Sequence, residues 1–507
     1  MTAQPLEPIG TDAAYEHSVA AHRAIKIWLA MPASERTTKE LDTLQEHLQI
    51  LPALRVDDNQ RASTLQGLKE RTVAALERVI FSLGSISLPI PRKSRQVARR
   101  AQDVARLLAD QMVSQLTDVA SHTEWSTERT LNTLQSVLEL LERHLLLSYL
   151  TAATATGGIW RTVHEAYRLA LVTQGSDARD ATALTNARNR YKQILLMGCT
   201  QPASLTASEL LFARAVIDRV GDHADLIASP QETDTVFWID ASRDAGAQAP
   251  PRRTLSGTDT TLFALSAAPI VTRLAAAIAA LEGGTPAGAL DLPDAAGTPL
   301  GLAILKRLKN SWEKPAKRRF PRRKQNYRVV LCSGLEDLWH LFGDHRQHSI
   351  ETSGWMITNE SPDGYAVMHV MGKLGDAIVG DIVAIRNETG KTWQVCLIRW
   401  AQSENQEHLE LGLQILSSKA VPAALIQTGD EESTAARHVV LLLPPIPPLR
   451  AREVLIAAAG WIRPNREKMV LLVDQERIEI REIHRVESEY NELSERIEMF
   501  AIEPDPD

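Results

Sequence analysis

The chain has 507 residues, 44% hydrophobic and 23% charged, which excludes a wholly disordered protein and predicts about two to four domains. Its three cysteines, Cys199, Cys332 and Cys396, include no C-x-x-C pair, excluding a disulfide-stapled scaffold and a zinc ribbon and fitting a reducing compartment. The net charge of -7 argues against a general nucleic-acid coat. Aromatic residues make up only 5%, so aliphatic and alanine-rich packing must build most of the core. The opening MTAQPLEPIGTDAAYEHS has neither a basic n-region nor an apolar h-region, so no signal peptide is expected. The most apolar stretch, Leu262 to Leu281, is interrupted by Pro269 and Arg273 and reads as a buried, alanine-rich helix rather than a membrane span. A soluble, cytoplasmic protein is the expectation.

Residues 1–305 read as a helical region, a helical-hairpin scaffold. Leu65, Leu68, Leu76, Val79 and Leu83 share one helical face; so do Val97, Ala101, Val104, Leu108 and Met112. Leu131, Leu134, Leu138, Leu141 and Leu145 form a third stripe. Ser87-Leu88-Pro89-Ile90-Pro91 separates the first two, because proline stops helices. Trp160, Val163, His164, Tyr167 and Ala170 follow the spacing of a tetratricopeptide first helix, but no second copy appears. Because a repeat array needs about three units, this segment predicts one helical hairpin with His164 half-buried in it. Residues 244–259 read as a loop, and Gly283 to Gly301 as a Gly/Pro/Ala-rich connector leading into a short helix, LAILKRLKNSW.

Residues 306–326 read as a basic linker and arginine loop. From Lys306 to Arg328 eleven cations face a single anion, Glu313. Such a field suits phosphate, but taken alone the segment reads first as a solvated linker or a nucleic-acid contact.

From Tyr327 the apolar period changes. VVLC, YAVMHV, DIVAIRN, WQVCLIRW and HLELGLQIL read as strands, with turn chemistry in Asn-Glu-Thr-Gly and Ser-Glu-Asn-Gln between them. They predict a small antiparallel barrel over 327–420, with a short helix, LEDLWHLF, after its first strand. In the fourth strand Trp393, Val395, Leu397 and Arg399 share one predicted face, and Gln394, Cys396, Ile398 and Trp400 the other. Residues 421–507 continue in β style with HVVLLLPP, EVLIAAAG, MVLLV and RIEIREIHRV, as a second barrel or an extension of the first, ending in a frayed acidic terminus. The fold class is thus multidomain, α then β.

The residues at the junction of these regions carry a resemblance. Asn359-Glu360-Ser361-Pro362-Asp363-Gly364 fits [D/N]-x-S-x-x-G, and both Arg318-x-x-x-Arg322 and Arg319-x-x-x-Arg323 fit R-x-x-x-R. In this order, and with barrel-like strands around them, residues 315–420 resemble the PilZ domain, a bacterial receptor module for cyclic di-GMP. The resemblance implies cyclic di-GMP as ligand, bound by Arg318, Arg319, Arg322, Arg323, Asn359, Ser361 and Gly364, with the Arg319/Arg323 register preferred over Arg318/Arg322. The chemistry fits: guanidiniums fork onto phosphate oxygens and the O6/N7 edge of guanine, and stack on bases. Asn359 offers a donor and an acceptor, Ser361 a hydroxyl, and Gly364 close backbone approach or a positive φ. The resemblance further implies a second-messenger effector in motility, adhesion or biofilm control, with the ligand ordering the arginine loop and changing how the helical region meets an unidentified protein partner. The alternative is a non-enzymatic scaffold or nucleic-acid-binding protein with a degenerate barrel. His340, His345 and His348 beside Asp344 read as loop histidines, so no metal is expected. No nucleophile, base and stabiliser set points to an enzyme.

Overall fold

A computed structural model describes residues 11–119, 126–173, 177–228, 236–249, 262–315, 320–343, 349–373, 378–405, 407–428, 437–447, 450–462, 468–474, 478–486, 488 and 490–504. The first part is a layered helical assembly: α1 (Thr11–Ala30), α2 (Thr37–Ile50), α3 (Asp58–Leu83), α4 (Arg92–Val119), α5 (Thr127–Leu150), α6 (Ile159–Val172), α7 (Ala178–Cys199) and α8 (Ala207–Val220). Local chemistry sets the helix starts. The Asp57 carboxylate accepts from Gln60 N ahead of α3, Ser126 caps α5, and Thr206 with Glu209 forms a reciprocal capping box at α8. The three apolar stripes become the buried faces of α3, α4 and α5; only Val97 is partly exposed. Each fully buried leucine among them contributes roughly 1.5–3 kcal/mol.

His164 is buried rather than half-buried: its Nδ1 lies 2.8 Å from Tyr191 Oη and its Nε2 2.8 Å from Ala245 O. Burial lowers its pKa. The region is not purely helical. Asp225–Ile227 (β1), Val236–Asp240 (β2) and Leu262–Ser266 (β3) form an antiparallel sheet in the order β1-β3-β2. The apolar run from Leu262 is therefore two elements, β3 and then α9 (Ala268–Glu282), with Pro269 in the first helical turn, where its missing N–H costs nothing. Of the loop read over 244–259, residues 250–259 lie outside the described part.

One ionic knot ties three helices together. The Glu77 carboxylate on α3 accepts from Arg143 Nε on α5 (2.8 Å) and from Arg214 Nη2 on α8 (2.7 Å). Burial pushes the Glu77 pKa up, but the two guanidiniums outweigh it and hold it below the ordinary 4.5. A carboxylate with a depressed folded pKa stabilises the fold above its unfolded value and loses that contribution as pH falls through the folded one. Thermal melts from about pH 6 to about pH 3 should therefore show a loss of stability beginning near the unfolded value, and Glu77→Gln should flatten that part of the profile.

The basic segment 306–326 is not one unit. Lys306 to Glu313 form the second half of α10 (Pro299–Glu313), and Arg323 opens β4 (Arg323–Ser333). The first barrel adds α11 (Leu335–Phe342), β5 (Ser353–Ser361), β6 (Gly364–Met371), β7 (Ile382–Asn387), β8 (Gln394–Gln402) and β9 (Glu410–Ser417), closed in the order β4-β5-β6-β9-β8-β7. Five of its strands overlap the sequence-predicted ones, and β5 is a strand the sequence does not predict. Asn359 to Ser361 end β5, Pro362 and Asp363 make the turn, and Gly364 starts β6, so the motif straddles a hairpin rather than opening one strand. Val329, Leu331, Trp355, Ile357, Cys396 and Ile398 are among the residues filling the interior.

The C-terminal part is a second closed ring: β10 (Val421–Thr428), β11 (Arg437–Leu443), β12 (Glu453–Ala458), β13 (Lys468–Asp474), β14 (Ile478–Val486) and β16 (Ile497–Pro504), with β16 returning to β12 and the two-residue β15 (Glu492–Leu493) at its flank. The region is thus a second barrel and not an extension of the first. In its last strand Met499, Phe500, Ala501 and Ile502 are buried, with Phe500 inside and Met499 outside; the last residues of the acidic terminus, 505–507, lie outside the described part. The outer faces of both barrels share a third core, Ile382, Ala384, Val395 and Leu397 on one side and Leu441, Val454 and Met499 on the other, with Leu338 of α11 among them. Leu88 packs against both the helical core and the first barrel. Arg95 of α4, itself buried, donates to Ser403 O (2.8 Å) and Ser403 Oγ (2.9 Å) at the end of β8.

Candidate functional site

Three irregularities in the first barrel surround one opening. Strand β4 carries an extra residue against β5 between Lys324 and Tyr327, β5 carries Thr358 between Ile357 and Asn359 against β6, and β8 carries Arg399 between Ile398 and Trp400 against β9. A bulge bends the strand and re-aims the next side chains. In β8 the inward positions run Cys396, Ile398 and then Ala401, so the simple alternation fails at Arg399 and Trp400.

The opening is a cleft of about 600 Å³, within the range of small-molecule sites. Arg322, Asn359, Ser361 and Gly364 line it. Arg322 is exposed and has no ion-pair or hydrogen-bond partner among the described residues. The Ser361 hydroxyl donates to Asp363 Oδ1 (2.6 Å), with Gly364 O 3.1 Å away, which fixes the hairpin. Arg323, whose backbone pairs with Glu360 across β4 and β5, is not among the lining residues. Arg318 and Arg319 lie outside the described residues. So do Asp344, His345 and His348, and the described residues contain no metal-ligating cluster.

Gly364 is required for close approach, not for a positive φ: a Cβ there would stand 2.1 Å from Leu413 O on β9. Gly412 has the same role toward Trp400, where a Cβ would lie 1.7 Å from the indole nitrogen. The indole therefore lies across the strand at the cleft, with Phe320 and Tyr365 also lining it. Tyr365 Oη donates to Gln394 Oε1 (2.9 Å), and burial raises its pKa. The Tyr327 hydroxyl lies 3.4 Å from Glu360 Oε2, and burial, aided by that carboxylate, pushes its pKa up to about 12. Both phenols are neutral donors at neutral pH.

The cleft is not confined to the barrel. Gln201, Ser204 and Arg307 reach it from the helical region and Glu492 from the second barrel. Sequence reasoning missed these. Arg307 falls in both the short helix LAILKRLKNSW and the basic segment, with no place at the site expected for it, and Glu492 lies 93 residues from Arg399, its ion-pair partner. The one local signal was Arg399, where WQVCLIRWAQ loses its period. A second cavity, of about 120 Å³ and lined by Gly84 to Leu88, Tyr149 and Val379, is too small for a dinucleotide.

Among the described residues no helix is long and apolar enough to cross a membrane. No curated protein matches the chain. Two family models do. Residues 23–231 match the N-terminal domain of the cyclic-di-GMP receptor FimW, and residues 342–422 match that receptor's middle PilZ domain. The second match takes in the Asn359–Gly364 hairpin and strands β5 to β9, and begins after the arginine segment and β4. Motif, closed barrel and family model agree that the first barrel of this chain is a PilZ domain.

Proposed function

We propose that the chain is a cyclic di-GMP-binding effector of bacterial second-messenger signalling, cytoplasmic and without an enzymatic step of its own. The observation that carries this reading is the convergence of Arg322, Asn359, Ser361 and Gly364 on one cleft of a PilZ barrel. Both matched models belong to a cyclic-di-GMP receptor, and that receptor's N-terminal domain is matched as well. In this reading a phosphate of the ligand takes the free fork of Arg322, with Arg318 of the same R-x-x-x-R register as its companion. Asn359 reads a guanine edge by offering a donor and an acceptor, and Ser361 adds a hydroxyl contact. Phe320, Tyr365 and Trp400 supply flat surfaces on which guanines stack. Binding is charge-assisted and needs no group with a shifted pKa.

Because residues from three parts of the chain line the cleft, filling it is sensed by the helical region directly. Its output is a changed contact with a protein partner, in motility, adhesion or biofilm control. Titration calorimetry of the full chain with cyclic di-GMP tests this. One or two ligands per chain at micromolar affinity is the expected result. No heat with cyclic di-GMP, together with binding of DNA or RNA that falls steeply with salt, sinks it in favour of a nucleic-acid contact.

A further inference from the structure

The cleft holds three arginines, and they are not equivalent. Arg322 has no partner among the described residues, Arg307 pairs with Glu209, and Arg399 pairs with Glu492. Glu209 is 1% exposed and also closes the capping box of α8, so taking Arg307 away would strand a buried carboxylate, a costly event. Glu492 is different. Its side chain is 28% exposed and sits at the cleft, so it can turn to water when its partner is taken. Arg399 is the bulged residue of β8, and its Nε is already fixed by Gln414 Oε1 on β9 at 2.5 Å. The guanidinium is thus pre-oriented by its own barrel, and its other edge is held by a carboxylate belonging to the next one.

The residues after Glu492 form a clip across all three parts of the chain. Ser494 packs on Gly380, where a Cβ would meet the serine Cβ at 2.7 Å. Glu495 accepts from Thr206 Oγ1 (2.8 Å) and from Ser208 Oγ in the helical region. Arg496 donates to the buried Asp381 (3.5 Å), beside Gly380 in the first barrel.

We infer that Arg399 is a further ligand-binding residue of this cleft, held in reserve by Glu492, and that an anionic phosphate or a guanine edge displaces that carboxylate and loosens the clip. The inference rests on reading the cleft as a cyclic di-GMP site. A phosphate oxygen can accept from the same Arg399 Nη1 in place of the carboxylate oxygen. By linkage, whatever the ligand takes from the Arg399–Glu492 contact, removal of that contact gives back in affinity.

The test is titration calorimetry of cyclic di-GMP with the full chain and its Arg399→Gln, Glu492→Gln and doubly substituted variants, with amide hydrogen exchange over residues 490–497. Arg399→Gln is expected to weaken binding about 10-fold or more. Glu492→Gln is expected to tighten it about 2- to 5-fold, the scale of a partly exposed ion pair. The double variant should match Arg399→Gln, because Glu492 acts through Arg399. Exchange of the clip amides should rise with ligand in the wild type, and without ligand in Glu492→Gln. If the wild type binds but Arg399→Gln binds as well, or Glu492→Gln fails to tighten binding, the inference is wrong while the binding site stands. If the wild type binds nothing, the proposed function fails first and takes the inference with it.

Discussion

Arg322→Ala is expected to lower the affinity for cyclic di-GMP by about 10- to 100-fold while leaving the fold intact. The side chain is exposed and has no partner among the described residues, so its loss strands no buried group; stability should stay within about 0.5 kcal/mol. What disappears is a guanidinium waiting at the cleft for an anion. Arg323→Ala is the paired control. Arg323 neighbours Arg322 in the chain, but only Arg322 lines the cleft, so the neighbouring substitution should cost a few-fold at most, through the general positive field. Calorimetry on both variants decides the register. A larger loss for Arg323→Ala would restore the Arg319/Arg323 pair preferred from sequence and place the ligand elsewhere on β4.

That choice of register marks where sequence reading stopped. R-R-F-P-R-R carries two overlapping motifs, and nothing in residue type separates them. What differs between them in the fold is position: Arg322 lines the cleft, and Arg323, the first residue of β4, does not. The helical stripes were legible because burial on one face repeats every three to four residues, and α3 and α5 bury every predicted leucine. The hairpin motif was legible because its turn chemistry is local. Strand β5 was not. SGWMITNES places a polar residue, Ser353, on its buried face and an apolar one, Met356, on the other, and the bulge at Thr358 then breaks the alternation, which hides the period. Strand β16 was hidden by its glutamates, although it is paired on both sides and largely buried. Glu492 and Arg307 were out of reach for another reason: they join the cleft through the packing of three parts, and no local pattern records a contact across 93 residues.

Gly364→Ala should both destabilise the first barrel and abolish binding. Adding a methyl group normally stabilises a glycine site by about 0.4–1 kcal/mol, by restricting the unfolded chain. Here the new Cβ would stand 2.1 Å from Leu413 O and 3.1 Å from its carbonyl carbon. These are backbone atoms of β9, paired with Gly364 and Tyr365 in register, so they cannot rotate away as a side chain would. The strands must part, at a cost of about 1–3 kcal/mol that outweighs the entropic gain. The opening falls at the hairpin, where Ser361 Oγ lies 3.1 Å from Gly364 O and the Asp363 carbonyl accepts from Ile415 N at 2.9 Å. Ser361 and Asn359 then lose their placement, and affinity for cyclic di-GMP falls further than side-chain truncation at Ser361 alone would bring. Gly288→Ala, with nothing within 4 Å of its added Cβ, is the control: it should leave binding unchanged and show only the usual entropic gain of up to about 1 kcal/mol in stability. Denaturation followed by tryptophan fluorescence, run beside calorimetry on the two variants, distinguishes the cases: a Gly364→Ala protein as stable as Gly288→Ala would mean that β6 and β9 are not held at this distance.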